Sequence, residues 1–282
     1  MTTRTMVRQH PAYRDDIGDL VTRRPLPGPS LPHLDPFLFL NHHGPQVYPP
    51  RNNGLPFGPH PHRGFETVTF ILAGELSHLD SGGHESIIHP GGVQWMTAGS
   101  GLVHAELSPD SFKQAGGLLE ILQLWINLPA RLKMTRPRYV GLEVGDIPTV
   151  AGDGTEIALV SGTLGERRGA IEPLTDMTLM TVRLAAGANA ALPAPEGHTV
   201  FFYLVEGDVT ILGESARAHH LVEFGGGDIV EVSAASTPAT ILFGHAPPFG
   251  EPIVSHGPFV MNSREEIVQA IQDYQAGKFG AL

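Results

Sequence analysis

The chain has 282 residues, 41% of them apolar and 17% charged, enough apolar mass for one large β domain or two compact domains. Eighteen basic against 29 acidic residues leave a formal charge of −11, which argues against direct nucleic-acid binding. Cysteine is absent, so any metal has to be held by imidazole and carboxylate, a donor set that suits iron, manganese, nickel, copper or zinc.

Met1 to Tyr13 carries Arg4 and Arg8 but no apolar core of signal-peptide length. No run is long enough to span a bilayer, so a soluble, cytoplasmic protein with no membrane contact is expected. The stretch from Pro25 to Pro59 reads as loop, with a turn at Pro50-Arg51-Asn52-Asn53-Gly54. After it come short apolar runs bounded by glycine and proline: Thr67 to Leu72, Gly92 to Met96, Leu118 to Leu128, Met177 to Leu184, Val200 to Leu204, Asp228 to Val232 and Thr240 to Gly244. Runs of that length and spacing predict strands, and an all-β sandwich or barrel. The basic group Arg131, Lys133, Arg136 and Arg138 reads as a solvated face. One helix is predicted near the end, where Ser263 and Glu266 form a capping box ahead of the apolar stripe Ile267, Val268 and Ile271.

A weak repeat runs through the chain. Glu66 to Leu76 ends its apolar run at the Gly74 turn, and Pro90 to Met96 follows; Val200 to Val209 turns at Gly207, and Gly225 to Glu231 follows. Two tandem β-barrels are expected, an N-terminal metal-binding barrel over residues 1–145 and a C-terminal barrel with the helix over 146–282.

The strongest chemical signal is His60-Pro61-His62. Fifteen histidines give about one such pair by chance, so its setting matters more than its count. Gly58, Pro59 and Pro61 disfavour helix, and in an extended chain alternate residues share a face. His104-Ala105-Glu106 repeats the alternation after the turn Ala98 to Gly101. Two such strands can converge on one divalent ion. Three imidazoles and a carboxylate leave an octahedral metal with two open positions, as in catalytic sites. The competing reading is a pair of loop histidines in a His-rich chain.

Glu66 shares the parity of His60 and His62 and is a rival ligand, or else a partner of one. Gln94, Met96, Gln123 and Trp125 are candidates for the pocket lining; an ordinary buried aromatic is the alternative for Trp125. Phe57 and the segment Asn41 to Pro45 could cover the mouth, with His42 and His43 either bonded to ligands or lying on the surface. Arg63 should point away from His62 and make no ion pair with Glu66.

The runs His60-Pro-His-Arg-Gly-Phe-Glu-Thr-Val-Thr-Phe70, Gln94-Trp-Met-Thr-Ala-Gly-Ser-Gly-Leu-Val-His-Ala-Glu106 and Leu124-Trp-Ile-Asn-Leu-Pro129 closely resemble the pirin family of the cupin superfamily. That resemblance implies two cupin-type barrels. It also implies a single non-haem metal, most often Fe(II), on His60, His62, His104 and Glu106, with Glu66 off the metal. In the second barrel the repeat places Pro193, Pro195, Ala239 and Ile241 near the ligand positions, so no metal is expected there. His198, His219, His220 and His245 are read as surface or core histidines. Several pirins resemble quercetin 2,3-dioxygenase in activity, which would make the substrate a flavonol and Glu106 the catalytic base for its 3-hydroxyl proton. The alternative is a metal- or redox-dependent regulator of a transcription factor or metabolic enzyme. Family likeness supports the metal more strongly than the substrate.

Overall fold

A computed structural model describes all residues from Met1 to Leu282. Strands dominate, and the α-helices are Asp110–Ala115 and Arg264–Gln275. All seven apolar runs lie within strands or overlap them closely: Thr67 to Leu72 falls in Phe65–Ala73, for example, and Thr240 to Gly244 in Ala239–Ala246. No helix is long and apolar enough to cross a membrane.

The chain forms two compact units, and they are interleaved. One comprises residues 14–24, 37–145 and 249–282, the other 1–13, 25–36 and 146–248. A division after Gly145 is present, but segments are exchanged around it, unlike two consecutive domains. The cause is strand pairing and packing. Met6–Pro11 pairs antiparallel with His220–Phe224 of the second unit. The C-terminal helix buries Ile267 and Ala270 with Val103, Phe259 and Phe279 of the first unit, so it does not close the second.

Each unit is a two-sheet β-barrel, and the two four-stranded sheets have the same strand order. In the first, a large sheet runs Arg138–Leu142, Val93–Thr97, Phe65–Ala73, Gly117–Asn127, Phe37–Tyr48 and on to the edge at Thr22–Leu26. Its four-stranded sheet runs Phe57–His62, Leu102–Leu107, Leu76–Asp80, Glu85–Ile88. In the second unit the four-stranded sheet is Asn189–Pro193, Ile229–Ala234, Asp208–Ile211, Glu214–Arg217. Residues of both its sheets, among them Leu192, Phe202, Val230, Val232 and Phe243, form one apolar core. Each such side chain contributes about 1.5–3 kcal/mol on burial.

Three sequence expectations change. The stretch Pro25 to Pro59 is not all loop, because Phe37–Tyr48 is a twelve-residue strand inside the large sheet. Its polar centre disguised it. Asn41, His42 and His43 are buried, and each finds a partner: Arg24 donates to Asn41 (3.0 Å), His42 faces Glu120 (2.9 Å) and His43 faces Thr22 (2.8 Å). Lys133 is not part of a solvated basic face. It is buried, and its ammonium donates to the carbonyls of Gly64 (3.0 Å) and Val260 (3.0 Å) and to Asn127 Oδ1 (2.8 Å). Burial pulls its pKa down to about 8. The helix does carry its capping box, but Val268 faces solvent while Ile267, Ala270 and Asp273 are buried.

Candidate metal centre

His60 and His104 lie directly opposite each other where Phe57–His62 pairs with Leu102–Leu107, and His62 sits opposite Leu102. Alternation sends all three histidines to the same side of the four-stranded sheet. Their ligating atoms lie within 4.8 Å of one another, and the His60 and His104 Nε2 atoms are 2.9 Å apart. His62 and His104 are buried and His60 is partly exposed.

The surroundings fix the tautomers of His60 and His62. His60 Nδ1 is 2.8 Å from the Gly58 carbonyl and His62 Nδ1 is 3.3 Å from that of Pro258. A carbonyl only accepts, so each Nδ1 carries the proton and each Nε2 presents a lone pair. Burial, then the neighbouring His60, lowers the His62 pKa to about 3. Burial, then His62, His60 and His78, holds His104 well below the ordinary histidine value. Three imidazoles whose ring nitrogens converge, two of them with the Nε2 lone pair free of a proton, are good ligands for a cation. The donor set fits one transition metal.

Glu106 projects from the His104 strand, beyond a bulge in the ladder. Its carboxylate accepts from Thr69 Oγ1 (3.0 Å) and Gln94 Nε2 (3.1 Å) on one oxygen, and from Gln123 Nε2 (2.5 Å) on the other. It is not among the donor atoms that cluster with the histidines. The amides are themselves oriented from outside. Trp125 Nε1–H, which can only donate, points to Gln123 Oε1 (3.4 Å), and Tyr139 OH donates to Gln94 Oε1 (3.0 Å). Both Gln side chains therefore turn their NH₂ groups to Glu106, which is held as an acceptor.

Glu66 faces away from the histidines. Gly64, at φ 88°, makes a corner between the two sheets, and a Cβ there would strike the Val260 carbonyl. The corner resets the strand parity, so Phe65, not Glu66, packs on the His62 ring (5.0 Å between centroids). Glu66 lies opposite Thr97 in the ladder and accepts from its hydroxyl (2.6 Å), on the other face of the large sheet from Thr69 and Gln94. Burial pushes its carboxyl up, against hydrogen bonding from Thr97 and the charge of Arg138. Arg63 does point away from His62. It pairs with Asp273 (2.9 Å), donates to the Ser100 carbonyl (2.8 Å) and lies over the Phe279 ring.

Trp125 is half-buried and stands at the histidines, edge-on to His62 (5.2 Å), stacked on Phe39 (4.6 Å) and tilted against Phe65 (4.5 Å). Phe57 packs on His43 (5.2 Å) in the same barrel. Sequence reasoning missed Thr69, Tyr139 and the pair His78–Asp80. Tyr139 stacks on His78 (4.0 Å), and His78 Nε2 is 3.1 Å from Asp80. His78-Leu79-Asp80 has the same alternation as His104-Ala105-Glu106 and is the signal that could have found it.

In the second unit the strand equivalent to Leu102–Leu107 is Ile229–Ala234, so the expected counterparts Ala239 and Ile241 are displaced by a strand. The turns of the second unit are shorter, and the offset between the copies shrinks along the chain. Leu192, Val230 and Val232 occupy the inner face of the corresponding strands, packed in the core. His198 and His245 meet each other there (3.1 Å between Nδ1 atoms).

Comparison with known proteins identifies the family and the fold. The family model described as Pirin matches residues 19–126, and that described as Pirin C-terminal cupin domain matches 179–280. A Pseudomonas aeruginosa protein provisionally named a quercetin 2,3-dioxygenase is 40% identical over 249 residues, covering 88% of this chain and 87% of its own. Human pirin is 39% identical over 266 residues, covering 92% of this chain and 87% of its own. A crystal structure of quercetin 2,3-dioxygenase from Acinetobacter baumannii superposes with a TM-score of 0.93 at 34% identity, covering 99% of both chains.

Proposed function

The chain belongs to the pirin family, and we propose that it is a dioxygenase of the quercetin 2,3-dioxygenase type, using one Fe(II) per chain on a flavonol. The observation that carries this reading is the meeting of three imidazoles with a carboxylate held as acceptor, beside an aromatic wall. His60, His62 and His104 would hold the ion, with Glu106 as the fourth ligand. The metal would supply Lewis-acid and redox chemistry. Trp125, backed by Phe39 and Phe65, takes the flat rings of the substrate. Glu106 receives the 3-hydroxyl proton, and Thr69, Gln94 and Gln123 keep it positioned to do so. In the net reaction dioxygen adds to the heterocycle, and a ring-opened ester and carbon monoxide leave. The likeness to the Acinetobacter enzyme supports this substrate class.

Flavonol-dependent oxygen uptake by the Fe(II)-loaded protein, measured with an oxygen electrode, tests the proposal. Uptake with carbon monoxide release is the expected result. No uptake across several flavonols at full metal occupancy would overturn it.

A further inference from the structure

A cavity of about 460 Å³ opens in the first unit, and the three histidines are not part of its lining. Arg136, Arg138, Lys278 and His84 line it, with Asp80 and Tyr139. That volume suits a small molecule. Its charge runs against the chain as a whole: three permanent cations and one carboxylate, in a protein of net charge −11.

The carboxylate is already committed inward. Asp80 is 1% exposed, accepts on Oδ1 from the backbone of Gly82 (2.8 Å) and His84 (3.2 Å), and meets His78 on Oδ2 (3.1 Å). Its oxygens are occupied by these donors, and its single negative charge is outnumbered by the three cations of the lining. Two of the cations are more open to the solvent. Arg136 is exposed and has no hydrogen bond or ion pair within the chain, so its guanidinium donors are unused. Lys278 holds Asp273 with one donor (2.7 Å) and is otherwise open to solvent. Its neighbour Phe279 packs so closely on Gly101 that a Cβ there would strike its ring.

We propose that this cleft is a binding site for a small organic anion of two or more charges, of the phosphate-ester or polycarboxylate class. Planar guanidinium groups suit the paired oxygens of either. A polymeric phosphate backbone would need a longer basic track than these residues form, and the acidic remainder of the chain opposes it. The site shares Tyr139 with the metal centre, where its hydroxyl bonds Gln94 and, through it, Glu106. An anion seated here touches the outer end of that chain of hydrogen bonds. Binding itself does not depend on the metal.

The test is calorimetric titration of the full, metal-free chain with inorganic phosphate and, separately, citrate. Saturable binding of at least one is expected, weakening as potassium chloride is raised, and the probe that binds more tightly identifies the class. Arg136→Gln should weaken it about 10-fold, and Arg136→Glu should abolish it, with thermal melting confirming that the variants fold. Should Arg136→Glu not fold, Lys278→Gln is expected to weaken binding in the same direction. His60→Ala should bind as wild type does. Absence of saturable binding by both probes would overturn the proposal, as would unchanged affinity in Arg136→Glu or loss of binding in His60→Ala.

Discussion

Glu106→Gln separates the two jobs of that side chain, because its surroundings are unforgiving about donors. The carboxylate accepts three hydrogen bonds, two on the oxygen facing Thr69 and Gln94 and one on the oxygen facing Gln123. An amide keeps its oxygen best on the side with two donors, which puts its NH₂ against the NH₂ of Gln123. Gln123 cannot turn over freely, since its own oxygen faces the donor-only Trp125 Nε1. One charge-assisted bond is lost and a buried donor is left unpaired, at a cost of about 1–3 kcal/mol. That corresponds to a melting temperature lower by roughly 2–10 °C. Glu106→Gln/Gln123→Glu restores the donor–acceptor match, because a carboxylate at 123 accepts from both neighbours. The double variant should recover most of the lost stability and none of the turnover, with general-base loss of about 10²- to 10⁴-fold. Calorimetric melting and flavonol-dependent oxygen uptake on the same metal-loaded preparations give both readings. If the double variant melts no higher than Glu106→Gln, the hydrogen-bond assignment is wrong. If Glu106→Gln turns over at the wild-type rate, the base role is wrong and the metal site stands.

Three further outcomes follow from the geometry. Burial, then the nearby charges of His42 and Arg24, lowers the His43 pKa to about 3, so as pH falls below 6.5 the unfolded chain takes up this proton and the folded one does not. Stability of the metal-free protein should therefore fall from pH 6.5 toward 4, and His43→Phe should remove up to ~1.4 kcal/mol per pH unit of that slope; an unchanged slope in urea titrations would contradict it. Trp125→Ala should raise the KM for a flavonol about 10-fold with metal content intact, and Trp125→Phe should restore part of it; equal KM values would remove the aromatic wall from the account. Arg63→Ala should free the C-terminal helix, seen as faster proteolysis within Arg264–Gln275, because the pair with Asp273 and the cover over Phe279 are both lost; unaltered cleavage would show that apolar packing alone holds the helix.

The two alternating pairs were legible because a strand has a period of two and the site is built from adjacent strands. The same rule failed at Glu66, where it was carried across Gly64. A glycine corner between sheets leaves no trace in hydropathy, and it turned Glu66 to Thr97 and away from the histidines. Phe37–Tyr48 was hidden because its Asn41-His42-His43 centre is polar, and the partners that make burial tolerable, Arg24, Glu120 and Thr22, are distant in sequence. Lys133 was misjudged for the same reason, since the two carbonyls that accept from it, those of Gly64 and Val260, are invisible to composition. The strand repeat was evident in its first strands and slipped by the last, as the loops shortened. The exchange of the N-terminal strand and the C-terminal helix between units depends on long-range pairing that no local pattern encodes.

Metal content, measured by elemental analysis on protein purified without added metal and again after Fe(II) loading, tests the centre most directly. The loaded wild type should hold one tightly bound ion per chain, His62→Ala and His104→Ala should each lose it, and Glu106→Ala should hold it less tightly. Full occupancy in either histidine variant, or two tightly bound ions in the wild type, would contradict a single centre built on His60, His62 and His104.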